Sequence, residues 1–150
     1  MKIAAIATAQ VPSQTANSIQ VMKVCHALSR LGHEVRLYLP GEGEVDREEL
    51  AELYGIAVSF EIEKLPASPR LKRNDFAWRA VRLARSRKTD LVYTWAIQAG
   101  VFALAGGMKA LFEAHDLPAG RLGPWWLRAF LRLPGKKRLV MITRALQAAL

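Results

Sequence analysis

The chain has 150 residues, enough for one domain with a single core and too few for two of ordinary size. A hydrophobic fraction of 51% with 23% charged residues excludes a disordered chain, and no apolar run reaches the roughly 20 clean residues of a membrane-spanning helix. Twenty-two basic residues against thirteen acidic ones give a formal charge of +9 and a pI near 10.2. That balance points to an anionic partner: nucleic acid, anionic lipid or a phosphorylated substrate.

Met1-Lys2 leads into only a short apolar run without a small-residue cleavage site, so a cytoplasmic protein is expected. The single cysteine, Cys25, allows no intramolecular disulfide and suits a reducing compartment, where it packs as a small apolar group. His26, His33 and His115 are scattered in sequence without metal-ligand spacing, so no metal site is expected.

In chain order, Met1–Thr8 carries Ile3, Ala4, Ala5, Ile6 and Ala7, the continuous apolar run of a strand buried on both faces. The loop 9–16 follows, and Asn17 with Gln20 forms a capping-box pattern that opens a helix. Val21, Val24, Cys25, Leu28 and Leu31 recur at helical spacing until Gly32. Glu34–Leu39 reads as the second strand, Asp46–Tyr54 as a short acidic helix stopped by Gly55, and Ala57–Ile62 as the third strand. Asn74–Lys88 reads as a helix, Leu91–Trp95 as a strand, Ile97–Ala105 as a helix and Lys109–His115 as the fifth strand. Pro124–Leu133 is helical, Arg138–Thr143 is a sixth strand, and Arg144–Leu150 begins a further helix that stops in mid-pattern, as in a piece of a longer protein. Strands alternating with helices at this spacing predict an α/β fold: a doubly wound, Rossmann-like parallel sheet of about six strands with helices on both faces.

Open sheets of this class bind ligands at the carboxyl ends of their strands. The loop after the first strand contains no glycine, so neither a G-x-G-x-x-G fingerprint nor a P-loop is present, which argues against an NAD enzyme and an ATPase. Asn17 either caps the first helix or helps its N-terminus to hold an anion. In the fifth strand, alternation puts Glu113 and His115 on one face and Phe112 and Ala114 on the other. A glutamate within an apolar strand must be paired, for instance with an arginine, or face a cleft. His115 at the strand end is placed to reach a ligand hydroxyl or to sit in the turn. Asp116 either orients that imidazole or begins the turn before Pro118.

The ordered set of segments Asn17-Ser18-Ile19-Gln20, Leu28-Ser29-Arg30-Leu31-Gly32-His33-Glu34-Val35, Leu91–Trp95, Glu113–Pro118 and Val140–Leu146 resembles GT-B-fold glycosyltransferases of the family-4 type over essentially the whole chain. The resemblance implies that residues 1–150 are the N-terminal, acceptor-side half of a two-domain fold. The C-terminal domain, absent from this chain, would hold most of a nucleotide-sugar donor. Transfer in such enzymes usually retains the anomeric configuration and needs no bound metal or other cofactor. The resemblance further makes His115 the catalytic contact to the donor sugar and puts Gln14, Asn17 and Ser18 near donor phosphates and acceptor. Thr143 would lie at the cleft floor, where its hydroxyl also suits a helix cap. Glu113 and Asp116 complete the expected substrate-binding set, and His33 reads as structural. The chain departs from many relatives in carrying Ala16-Asn17 where they have a glycine pair.

Two segments, 69–88 and 121–138, combine arginines and lysines with Trp78, Trp125 and Trp126. They either bury one face on the sheet with the charges solvated, or meet an anionic membrane surface and a lipid-linked acceptor. Nucleic acid is disfavoured, because no RNP-like or helix-turn-helix pattern is present. The competing functional class is a non-catalytic Rossmann-type module for a phosphorylated ligand or nucleic acid.

Overall fold

The computed structural model describes residues 1–71, 73–116 and 120–148. Its elements are β1 (Lys2–Ile6), α1 (Ala16–Arg30), β2 (Glu34–Pro40), α2 (Arg47–Tyr54), β3 (Glu61–Leu65), a short 3-10 turn (Pro69–Leu71), α3 (Asn74–Ser86) and β4 (Leu91–Thr94). Then follow α4 (Ile97–Ala105), β5 (Ala110–Ala114), α5 (Gly123–Arg132), β6 (Lys137–Met141) and α6 (Arg144–Ala148). All strand pairings are parallel, in the order β3-β2-β1-β4-β5-β6. The chain therefore reverses its winding direction between β1 and β4, where this architecture opens a crevice.

Alternation in β1 shows how the sheet is covered. Ile3 and Ala5 belong to a core under α1 and α2, with Val21, Met22, Cys25, Leu37 and Leu50. Ala4 and Ile6 belong to the opposite core, with Phe76, Ala80, Val92, Leu104, Phe112 and Phe130 from α3, α4, α5 and their strands. Cys25 is fully buried, and burial pushes its thiol pKa up, as its packing role requires. Among the described residues no helix is long and apolar enough to cross a membrane.

Two expectations are corrected. The third strand is Glu61–Leu65, not Ala57–Ile62. The stretch 57–60 turns instead, with Ser59 N–H donating to the Ala57 carbonyl, and its apolar side chains Val58 and Phe60 pack under α1 and α2. The true strand lies at the sheet edge, where Glu63 meets Arg36 and Arg87 at 3.5 and 2.5 Å and Glu61 meets Arg47 at 3.1 Å. Edge strands tolerate such charges because one side faces water. The second correction is at α1: its cap is Thr15, whose hydroxyl accepts from Ser18 N–H at 3.4 Å, and not Asn17. Gln20 is thereby free to reach across the crevice. Of the last helix, residues 149 and 150 lie outside the described part, and so do Lys72 and 117–119.

The tightest helix contact involves Gly100 of α4. A Cβ there would stand 2.9 Å from Phe130 Cε2, and Phe130 of α5 is itself fully buried. Alanine normally gains about 1 kcal/mol over glycine in a helix. Here the overlap should win, so Gly100→Ala is expected to lose about 1–2 kcal/mol in urea unfolding. In a Phe130→Leu background the same change should be neutral or stabilising, and equal losses in both backgrounds would exclude the contact as the cause.

Candidate functional site

The crevice at the β1–β4 switch opens into a cleft of about 730 Å³. Its wall combines Trp95, Phe112 and Trp126 with Asn17, Arg73, Asn74, Gln98, His115, Asp116 and Arg121. Apolar surface with a few convergent polar groups is the usual make-up of a ligand site.

Glu113 anchors this wall. It lies near the end of β5 and is 5% exposed. Its neighbour Phe112 points into the opposite core and meets Phe130 edge-on. On the Glu113 side, Gln20 of α1 donates through Nε2 to Oε1 at 2.5 Å, Tyr93 of β4 donates its hydroxyl to Oε2, and His115 Nε2 lies 2.8 Å from Oε1. Burial works to raise the Glu113 pKa. Hydrogen bonds from Tyr93 and His115, together with the adjacent Trp95 indole, outweigh it and hold the carboxyl below its ordinary value. Burial and the carboxylate beside it push the Tyr93 phenol up, so Tyr93 remains a donor.

An ionised carboxylate only accepts, so His115 must carry its proton on Nε2, which leaves Nδ1 as the acceptor of the neutral ring. His115 is the partly exposed member of the pair and lines the cleft. The group that orients it is Glu113. Asp116 also lines the cleft but is exposed and makes no side-chain hydrogen bond among the described residues; Pro118 lies outside them.

The remaining expected site residues separate. Asn17 is exposed and lines the cleft. Ser18 is fully buried, sharing a 2.7 Å hydrogen bond with Thr15 Oγ1 and donating to the Gln10 carbonyl at 2.6 Å, so it pins the first loop. Tyr54 clamps the same loop at Ser13 through both backbone groups. Gln14 is exposed on that loop and away from the cleft wall. Thr143 caps α6, its Oγ1 accepting from Leu146 N–H at 3.1 Å, and is not part of the wall.

Sequence reading missed Gln20, Tyr93, Trp95, Arg73 and Arg121. Tyr93 and Trp95 have the parity of Glu113 once β4 and β5 are paired with Thr94 opposite Phe112, so strand alternation was the available signal. Arg73 opens α3 in a left-handed conformation (φ 59°) and donates to the Thr8 carbonyl at 2.9 Å, tying α3 to the end of β1. Asn74 Oδ1 in the wall is buried without a hydrogen-bond partner; Trp95 Nε1 also has none at hydrogen-bond distance, its indole acting on Glu113 from farther away. Buried polar atoms of that kind are uncommon and mark where a ligand or water can bind.

The depressed Glu113 pKa fixes a pH dependence. A carboxylate whose folded value lies below its unfolded value of about 4.3 stabilises the fold above the latter and loses that contribution as pH falls through the folded value. Glu113→Gln should therefore cost about 1–3 kcal/mol at neutral pH, with a smaller difference from wild type below about pH 4 in urea unfolding. A difference that does not change with pH would show that the ionised form is not what the network holds.

The model of Glycosyltransferase Family 4 matches residues 18–150. Comparison with curated proteins gives no match. Among solved structures, MurG of Acinetobacter baumannii superposes with a TM-score of 0.57 at 14% identity, over 92% of this chain and 44% of MurG. UGT2 of Phytolacca americana gives 0.50 at 13% identity, over 77% of this chain and 30% of UGT2. AnUbiX (PadA1), solved with FMN and dimethylallyl pyrophosphate, gives 0.52 at 14%, over 95% and 76%. The three likenesses show a Rossmann-like α/β fold, which the MurG superposition matches to a GT-B N-terminal domain, and the chain spans less than half the length of the MurG and UGT2 structures. By its match over residues 18–150, the chain belongs to Glycosyltransferase Family 4.

Proposed function

We propose that this chain is the acceptor-side domain of a cytoplasmic glycosyltransferase that moves a sugar from a nucleotide-sugar to an acceptor, with retention and without a bound metal or other cofactor. The observation that carries the reading is an imidazole held by an ionised carboxylate at the carboxyl end of β5, inside a cleft, in a chain of this family. His115 is the catalytic residue in this reading. With Nε2–H given to Glu113, its other nitrogen is available to a hydroxyl of the donor sugar. Asn17 and the start of α1 offer polar groups toward the donor phosphates, and Arg73 and Arg121 add positive charge to the wall. Asp116 is left for a substrate hydroxyl. Ser18 acts through the loop it pins, whereas Gln14 and Thr143 contribute only if a second domain brings substrate to them. A non-catalytic module would bind a phosphorylated ligand here without needing the histidine–carboxylate pair.

In this division of roles, base, ribose and most of the donor sugar contact a donor-binding domain that residues 1–150 do not include. Calorimetry on residues 1–150 should detect no binding of UDP- or GDP-sugars at micromolar concentration. Tight binding by these residues alone would defeat the assignment.

In the two-domain enzyme, His115→Ala should lower kcat by roughly 30- to 1,000-fold with a much smaller change in donor KM, the signature of a contact strengthened in the transition state. Some stability should be lost as well, because Glu113 loses one of its donors, but Gln20 and Tyr93 still hold the carboxylate and the fold should persist. A mutant that melts earlier but keeps its turnover would remove His115 from the chemistry.

A further inference from the structure

We propose that the outer face of α3, α4 and α5 docks on an anionic lipid bilayer. Three observations converge on it. The first is an aromatic trail across the three helices. Leu71, Trp78 and Phe102 line one shallow depression of about 430 Å³, Phe102 meets Trp126 edge-on with centroids 5.6 Å apart, and Trp126 meets Trp125 at 4.7 Å. Trp78 is 47% exposed and Trp125 57%, and Leu71, Leu122 and Leu131 are exposed nearby in sequence. Large apolar side chains gathered on one exposed face mark an interaction surface.

The second observation is a strong excess of positive charge. On α5, Arg128 and Arg132 follow Trp125 at three and seven residues, and on α3 Arg82 and Arg85 follow Trp78 at four and seven, so each tryptophan shares a helical stripe with two arginines. The Arg82 guanidinium sits 4.7 Å from the Trp78 ring centroid. Residues 117–150 contain no acidic side chain, and Asp75 is the sole acidic residue between 64 and 89. Asp75 lines the same depression beside Arg70, but its Oδ2 is taken up by Ser68 N–H at 2.9 Å and its Oδ1 is buried.

The third observation is how the two are interleaved. Tryptophan rings settle at headgroup depth while arginines on the same stripe meet lipid phosphates, which satisfies both halves of the patch at once. A nucleic acid would neutralise the arginines but leave Leu71, Leu122 and Leu131 against water. The face also adjoins the cleft, which shares Asn74, Leu122 and Trp126 with it. A lipid-borne acceptor therefore has a short route from bilayer to His115. That last step rests on the transferase reading; bilayer binding itself does not.

Flotation of residues 1–150 with vesicles of phosphatidylcholine, with and without phosphatidylglycerol, tests this. Binding should require the anionic lipid, and brominated acyl chains should quench tryptophan fluorescence. The double variant Trp78→Ser/Trp125→Ser should weaken binding about tenfold or more. Arg128→Gln/Arg132→Gln should weaken it by roughly 25-fold, since each arginine near such a surface is worth about fivefold. All four side chains are exposed, and circular dichroism checks that each variant stays folded. The proposal is overturned by absence of flotation with anionic vesicles, or by salt-sensitive attachment that neither the tryptophan variant nor brominated lipid affects. Tighter binding of an RNA oligonucleotide than of vesicles, unchanged in the tryptophan variant, would overturn it too. None of these results bears on the donor-binding or His115 measurements, so failure here is distinct from failure of the transferase reading.

Discussion

The Glu113 carboxylate stays ionised inside a parallel sheet because donors from three places converge on it: Gln20 from α1, Tyr93 from β4 and His115 from the end of its own strand. An unpaired charge at that depth would cost several kcal/mol, so the site exists only while those elements keep their register. One residue of slip in β5 would turn Glu113 into the Phe112–Phe130 core and His115 away from Tyr93. The carboxylate thus couples strand pairing to the geometry of the cleft.

That register is secured by apolar packing on both sides. Ala4, Ala5 and Ala7 are buried at the middle of the sheet, and Gly100 lets the Phe130 ring sit against α4. Helices α3, α4 and α5 then form one layer whose inner side covers the sheet and whose outer side carries the exposed tryptophans and arginines. The same layer forms part of the cleft wall through Asn74, Ile97 and Trp126. Core, cleft and basic outer surface are therefore three sides of one set of helices.

The architecture was legible because parallel strands buried on both faces, separated by amphipathic helices, leave an unambiguous pattern. Glu113 and His115 were legible for a related reason: a charge and an imidazole at one parity of an apolar strand demand a partner. The partners were not. Tyr93 and Trp95 look like ordinary strand residues until β4 is set beside β5, and that neighbour relation is a property of topology. Gln20 fits a capping pattern in sequence, but Thr15 supplies the cap, and the Glu113 contact that Gln20 makes instead spans 93 residues and leaves no local signal. At the edge, apolar content points to Ala57–Phe60, whereas the strand itself, β3, carries Glu61, Ile62, Glu63 and Lys64 and is held by arginines from elsewhere in the fold. Arg73 and Arg121 sit in segments read only for charge, and their place at the cleft depends on how α3 and α5 return to the sheet.

The imidazole is the point where fold and proposed chemistry meet, and its tautomer reports on both. Nitrogen-15 NMR of the His115 ring, in wild type and in Glu113→Gln, reads it directly. At a pH where the ring is neutral, the wild-type spectrum should show protonated Nε2 and bare Nδ1, and the variant should lose that preference. A wild-type ring protonated on Nδ1, or a tautomer mixture that the Glu113 substitution leaves unchanged, would contradict a carboxylate-oriented histidine and with it the site as described.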